Sequence, residues 1–352
     1  MKPLDLGALR RAIADVRPGN AHDLVRRTLA QHGLAADGSG AAATNPLSAL
    51  SALSGMGARL DTAPTERLVP GARFDSGHFV CDAGGREYLK YVPASAANGA
   101  AGVIMMLHGC TQNGADFAVG TGMNALAEQH RLIIVYPRQS RGDNAQSCWN
   151  WFSPGDQRRG RGEPAILAGL ASEISRDHDI PPALTFVAGL SAGAAMAVIL
   201  GQTYDDVFAA VGAHSGLPFG SARDVPSAFA AMGGRAGEIA HRRDLRATPT
   251  IIFQGSADQT VHGSNAGRIG ADVLAAGPKQ TLLDRISGQT NGRNFVRETT
   301  TASDGAVLLE HWTIEGLGHA WSGGNPRGTY SDPKGPDASA EMVRFFLSLR
   351  KD

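Results

Sequence analysis

The segment Gly-Leu-Ser-Ala-Gly, residues 189 to 193, has the residue types and spacing that nucleophilic chemistry needs. A serine hydroxyl attacks poorly unless it is exposed, held beside a base, and faced by donors for the charge that develops. The surrounding text, VAGLSAGAAMAVIL from Val187 to Leu200, reads as a small apolar strand that turns abruptly into an alanine-rich helix. Gly189 and Gly193 flank Ser191, so the turn can be tight enough to push the hydroxyl into the open. The helix that follows aims its first N–H groups and its positive dipole end at the same place. The competing reading is a solvated serine in a chain with 45 glycines among 352 residues. Partners decide between the two.

A base and an acid are expected downstream, in the order serine, acid, histidine, each in the loop after a later strand. SADQTV follows TPTIIFQG and offers Asp258; LGHAWSGG follows LLEHWTIEG and offers His319. In that arrangement His319 takes the Ser191 proton, while Asp258 fixes the tautomer and stabilises the imidazolium. His262 is close to Asp258 but ahead of the last strand, and His311 lies inside a strand. Asp272, Asp284 and Asp304 fall on helix or hairpin surfaces, where a solvated charge is the default.

Charge on a tetrahedral oxygen calls for two donors. One is the N–H of Ala192; the other comes from the loop after the third strand, LHGCTQNG, where Cys110 is suitably placed. SCWNWFSPGDQ puts Trp149 and Trp151 on a loop after LIIVYP, and Trp321 stands two residues past His319. These indoles either fold back onto the core or line an apolar binding surface. His108 and His214, at strand ends, are further candidates for the pocket wall, and Trp312 for the core.

Such loops need a frame. From Gly71 onward, strands alternate with helices: a hairpin RFDSGHFVCDAGGREYLKYVP turning at Gly84-Gly85, then the apolar runs GVIMMLHG, LIIVYP, LTFVAG, FAAVGAHSG, TPTIIFQG and LLEHWTIEG. Helices are expected over 123–129, 164–176, 266–275 and 338–349. Continuous apolar strands between helices predict a mostly parallel three-layer α/β sheet. The antiparallel opening hairpin narrows this to an α/β-hydrolase. Residues 1–35 read as an N-terminal helical segment, with Leu6, Leu9, Ile13 and Val16 at helical spacing. Residues 36–70 form an Ala/Gly/Ser-rich linker, and 71–352 the catalytic domain.

Composition bounds the partners. The chain is 42% hydrophobic and 19% charged, with 33 basic and 33 acidic residues. That balance fits a globular protein and carries no footprint for nucleic acid. No run approaches the roughly 18 apolar residues of a membrane span. The histidines are dispersed, and no phosphate-cradling or dinucleotide loop occurs, so neither metal nor cofactor is expected. Three cysteines, Cys81, Cys110 and Cys148, permit one bridge and leave one thiol over. Oligomeric state is not readable.

Taken together, LHGCTQNG, SCWNWF, GLSAGAAMA, FQGSADQTV and GLGHAWSGG resemble the esterase family of poly(3-hydroxybutyrate) depolymerases, which also holds feruloyl and acetylxylan esterases. The resemblance covers roughly residues 74–349. It implies an α/β-hydrolase fold, a triad of Ser191, Asp258 and His319, and an oxyanion-hole amide from Cys110. It also implies that Cys148, Trp149, Asn150 and Trp151 shape the substrate site. The expected activity is hydrolysis of a short-chain hydroxyalkanoate polyester or its oligomers through an acyl-enzyme. A feruloyl or acetylxylan esterase is the second reading. A non-catalytic binding scaffold is the third, although such relatives generally lose a triad member. A Cys110–Cys148 bridge tying the oxyanion loop to the tryptophan loop is a hypothesis. The resemblance implies an extracellular location, whereas MKPLDLGALRRAIADVRPGN lacks a Sec signal's apolar core, so the cytoplasm stays open. Secreted members often carry a separate polymer-binding domain. Here the sequence ends at FFLSLRKD, directly after the last expected helix, so action on crystalline polymer is not implied.

Overall fold

The computed structural model describes residues 68–235 and 246–349. The expected helical segment over 1–35 and almost all of the linker over 36–70 lie outside them. One sheet of ten strands organises the described residues, in the order β1-β2-β4-β3-β5-β6-β7-β10-β9-β8. Its central strands are β3 (Gly102–Leu107), β4 (Leu132–Pro137), β5 (Thr185–Leu190), β6 (Ala210–His214), β7 (Thr250–Gly255) and β10 (Val307–Ile314). These six pair in parallel throughout. β3, β4, β5, β6 and β7 are buried at every position, which is why they read as unbroken apolar runs.

Alternation along each strand feeds two cores. Val103, Met105 and Leu107 of β3 point into one, beside residues of α3 (Gly162–Asp177), α4 (Ala192–Thr203) and α6 (Ser264–Ala276). Ile104 and Met106 point into the other, beside α1 (Gly114–Thr121), α2 (Met123–His130) and α7 (Ala338–Ser348). The result is the three-layer sandwich that the alternating pattern predicts.

Several details differ from the sequence reading. The opening hairpin of β1 (Arg73–Cys81) and β2 (Gly84–Val92) pairs Cys81 with Gly84, so it turns at Asp82-Ala83 rather than at the two glycines. α1 was not expected; it is short, capped by Asn113, whose side chain accepts from Asp116 N–H, and closed by left-handed Gly122. The antiparallel hairpin β8 (Thr281–Thr290) and β9 (Arg293–Ala302) extends the sheet beyond β10. β8 is exposed over its first seven residues, so no buried face stamps an alternating pattern on it.

The contact that positions the site is where α4 leaves β5. A Cβ on Gly193 would lie 2.1 Å from the Leu107 carbonyl oxygen and 2.6 Å from that of His108. One on Gly189 would lie 2.5 Å from the Gly193 carbonyl carbon. Backbone presses on backbone here, and nothing can give. Gly193→Ala is therefore expected to cost at least about 3 kcal/mol or to prevent folding. Gly267→Ala, within α6 and with open space around its Cβ, is expected to stabilise by about 0.5–1 kcal/mol. Urea-unfolding midpoints of the two variants check both; a Gly193→Ala protein as stable as the parent would contradict the account.

Candidate active site

Ser191 sits between the end of β5 and the first turn of α4, with φ 57° and ψ −119°. A non-glycine residue holds such a conformation only when its surroundings impose it. Those surroundings are on hand: Ser191 N–H donates to the His214 carbonyl at 2.9 Å, and Ala195 N–H to the Ser191 carbonyl at 2.9 Å. The side chain is half-buried at the mouth of the turn.

Asp258 and His319 meet through a 2.8 Å hydrogen bond from His319 Nδ1 to Asp258 Oδ2. The loops that carry them are laced together. Ala257 N–H donates to the Leu317 carbonyl, Ser256 N–H to that of Ile314, and Gly316 N–H to Ser256 Oγ. A Cβ on Gly255 would fall 2.2 Å from the Leu317 oxygen, so only glycine lets the end of β7 approach this closely. The Asp258 side chain is fully buried. Burial alone would raise its carboxyl. The hydrogen bond and charge of His319, the N–H of Val261 and the Ser215 hydroxyl outweigh burial and hold it below the ordinary carboxylate range. Asp258 therefore stays ionised and keeps the proton of a neutral His319 on Nδ1. Nε2 is the ring atom left without a partner, and no His319–Ser191 hydrogen bond closes among the described residues. Such bonds commonly tighten only when substrate binds.

The LHGCTQNG loop lies against the elbow: a Cβ on Gly109 would be 3.7 Å from Ser191 Cβ. Gln112 holds this loop. Its Oε1 accepts from Gly109 N–H at 2.9 Å, and its Nε2 donates to Asp116 Oδ2 and to the Thr329 carbonyl, each at 2.9 Å. Neither the Cys110 nor the Ala192 N–H donates to any described residue. Cys110 is bridged to Cys148, and Thr111 N–H donates to the Gln146 carbonyl at 2.7 Å, so the loop is stapled to the tryptophan loop twice. Cys81 is the thiol left over. Two free N–H groups beside a serine, with an acid–imidazole pair on the adjoining loops, can stabilise an oxyanion and move a proton. Among the described residues no cluster could hold a metal, and no helix is long and apolar enough to cross a membrane.

The family model for Esterase PHB depolymerase matches residues 86–292. The chain belongs to this family. Poly(3-hydroxyalkanoate) depolymerase C of Paucimonas lemoignei is 32% identical over 261 residues, covering 69% of this chain and 60% of that protein. Acetylxylan esterase A of Aspergillus oryzae is 30% identical over 143 residues, covering 40% of this chain and 45% of that protein. The chain thus spans less than two thirds of the length of either relative. Among solved structures, an acetyl xylan esterase from Aspergillus awamori superposes with TM-score 0.55 at 21% identity, covering 75% of this chain and 94% of that one. That likeness is one of fold, an α/β-hydrolase.

In this member of the family, most of the expected wall residues stand behind the site. His108 is fully buried, with Nδ1 2.8 Å from the Gly109 carbonyl and Nε2 accepting from Gln139 N–H at 3.2 Å. Trp149 is fully buried and donates to the His108 carbonyl. Trp321 is 1% exposed, donates to Ser339 Oγ and stacks on His214. Burial covers these three rings and their polar atoms are committed to protein partners, so as they stand they support the loops around the elbow. Trp151 is 6% exposed and packs edge-on to Phe152. Asn150 is half-buried, its amide donating to Glu163 and accepting from Asn144. His262 pairs with Ser264 at the surface.

Two supports escaped the sequence reading: Gln112 and Glu163. Gln112 lies within a quoted motif, but nothing in spacing marks a glutamine as a loop anchor. Glu163 is buried under the tryptophan loop, accepting from Gln139 Nε2 and from Asn150 N–H, with Arg86 3.9 Å away. Burial lifts its carboxyl to about 7, offset in part by those donors.

The buried ionisable groups set opposite pH trends. Burial lowers His108 to about 4 and His214 to about 3, the latter pushed further by the charge of His319. The unfolded chain therefore binds protons that the folded one refuses as pH falls below about 6.5, and stability declines toward pH 4. Glu163 works the other way: its folded form holds a proton that the unfolded form has lost, so stability declines as pH rises from about 4.5 to 7. Glu163→Gln is thus expected to steepen the rise of stability with pH across that window. Unfolding free energies measured from pH 4.5 to 7 check this; an unchanged slope would contradict the assignment.

Proposed function

We propose that the protein is a serine-dependent carboxylic ester hydrolase that cleaves short-chain polyhydroxyalkanoate polyester, such as polyhydroxybutyrate, or its oligomers. The observation that carries this reading is the 2.8 Å bond between His319 and Asp258, on loops adjoining an elbow serine. Ser191 Oγ attacks the ester carbonyl carbon as His319 Nε2 accepts its proton. The N–H groups of Cys110 and Ala192 receive the tetrahedral oxygen, each donor contributing roughly 3 kcal/mol to the transition state. Collapse expels the alcohol, which takes the proton from His319, and leaves an acyl ester on Ser191. Water, deprotonated by the same imidazole, then releases the acid and restores the serine.

Membership of the family supports ester hydrolysis, and the similarity to a poly(3-hydroxyalkanoate) depolymerase favours a hydroxyacyl polyester. A Cys110–Cys148 bridge fits an oxidising compartment. The similarity to acetylxylan esterase A favours a second reading, release of acetate from a polysaccharide.

Ser191→Ala is expected to lower kcat by roughly 10⁴- to 10⁶-fold with folding intact. Product release from 3-hydroxybutyrate oligomers, methyl ferulate and acetylated xylan, compared for parent and variant, tests mechanism and substrate together. Fastest turnover of the oligomers supports the polyester reading, and fastest release of acetate supports the second one. Undiminished hydrolysis by Ser191→Ala would overturn the serine mechanism.

A further inference from the structure

Gly109 is gripped from both sides. Its N–H donates to Gln112 Oε1 at 2.9 Å. Its carbonyl accepts from Gln112 N–H at 3.3 Å and lies 2.8 Å from His108 Nδ1. The peptide bond to Cys110 is planar and trans, so whatever holds the Gly109 carbonyl also aims the Cys110 N–H on the opposite edge. The disulfide and the Thr111 N–H fasten the loop from Cys110 onward. Glycine at 109 lets the plane itself rotate unless its neighbours grip it.

The Gln112 amide has one possible orientation. A backbone N–H only donates and a carbonyl only accepts, so Oε1 faces Gly109 and Nε2 faces Thr329. Nε2 donates to the Thr329 carbonyl and to Asp116 Oδ2, each at 2.9 Å. Asp116, in the first turn of α1, accepts from Thr329 N–H at 3.0 Å through Oδ1 and from the Thr329 hydroxyl through Oδ2. The glutamine is 5% exposed, so little water competes for these bonds. The segment carrying Thr329 is pressed onto the same helix: a Cβ on Gly328 would fall 2.3 Å from Gly120 Cα. Beside Thr329, the Tyr330 carbonyl accepts from Trp321 N–H at 2.7 Å, two residues past His319. One side-chain amide thus joins the oxyanion loop to the segment that follows the histidine.

Resting on the serine-hydrolase reading above, we infer that Gln112 and Asp116 are positioning residues for the oxyanion donor: Asp116 and Thr329 lock the Gln112 amide, which fixes Gly109 and with it the peptide plane that carries the Cys110 N–H. The consequence is confined to the tetrahedral stage. An ester in the ground state gains little from that N–H, whereas the developing oxyanion needs it in place.

Gln112→Glu keeps the size of the side chain and the acceptor for Gly109 N–H. It replaces the Nε2 donor with an oxygen that faces the Asp116 carboxylate and the Thr329 carbonyl. With p-nitrophenyl butyrate, kcat is expected to fall about ten- to a hundred-fold with KM within about two-fold, less than the loss of a whole donor because the N–H is misaimed and not removed. An alkyl trifluoromethyl ketone reads the same step without turnover. Ser191 Oγ bonds to its carbonyl carbon, the hydroxyl proton passes to His319, and the carbonyl oxygen becomes the anion facing Cys110. Its affinity is expected to fall by the same factor as kcat/KM. Adding Asp116→Asn to Gln112→Glu returns a donor opposite the new carboxylate and is expected to recover at least about five-fold in kcat.

Parent-like kcat and ketone affinity in Gln112→Glu would overturn the inference, whatever the melting temperature, since the amide would then serve stability alone. A loss in KM alone, or a double variant no faster than Gln112→Glu, would overturn it too. Should Gln112→Glu not fold, Asp116→Asn alone carries the test: a lowered kcat at constant KM supports the inference, and a parent-like kcat overturns it. Ser191→Ala, run alongside, separates the two levels. If it abolishes turnover while the Gln112 and Asp116 variants are normal, only this inference falls; if it retains turnover, both fall.

Discussion

The first turn of α4 rests directly on the carbonyls of Leu107 and His108, with no space for a side chain between them. Everything proposed for the site depends on that contact. It brings the helix N-terminus to the end of β5, forces Ser191 into a left-handed turn, and sets the LHGCTQNG loop against the same serine. A helix packed one methyl group farther away would move the Ala192 N–H relative to Cys110, and the pair would no longer converge. Catalysis by oriented donors tolerates such shifts poorly, because the donors must be fixed before charge develops.

Around this contact, polar groups are buried as fasteners. His108 and His214 occupy equivalent places at the ends of β3 and β6, the two strands that flank β5, and both are neutral rings whose nitrogens meet backbone or hydroxyl partners. Each joins a loop of the site to the sheet. Burying such groups unpaired would cost roughly 1–3 kcal/mol apiece, so their hydrogen bonds specify one loop arrangement more than they add stability. Glu163, Gln139 and Arg86 serve the tryptophan loop in the same manner, and the disulfide joins that loop to the one carrying Cys110. The site is thus built outward from the sheet, with the polar network behind the residues that would meet substrate.

What the sequence disclosed follows from what constrains it. β3, β4, β5, β6 and β7 were legible because strands buried on both faces must be apolar at every position, and their bounds agree with the structure to within two residues. Asp258 and His319 were legible because chain order and strand ends restrict the choices; the structure joins them. The β8–β9 hairpin was not, since an exposed edge strand such as TLLDRISGQT carries no pattern that solvent enforces. The three aromatic residues His108, Trp149 and Trp321, read as candidates for the pocket wall, are buried. Sequence position cannot say which face of a ring is covered. Gln112 acts through side-chain hydrogen bonds to Gly109, Asp116 and Thr329, and such bonds leave no periodic trace.

The central claim is that the hydroxyl at the elbow becomes acylated. Rapid acid quenching during turnover of p-nitrophenyl butyrate, followed by proteolysis and mass spectrometry, tests it most directly. The account predicts a butyryl adduct confined to the peptide containing Ser191 and absent when His319 is replaced by alanine. An adduct on another residue, or steady turnover with no adduct even where deacylation is slowed, would contradict it.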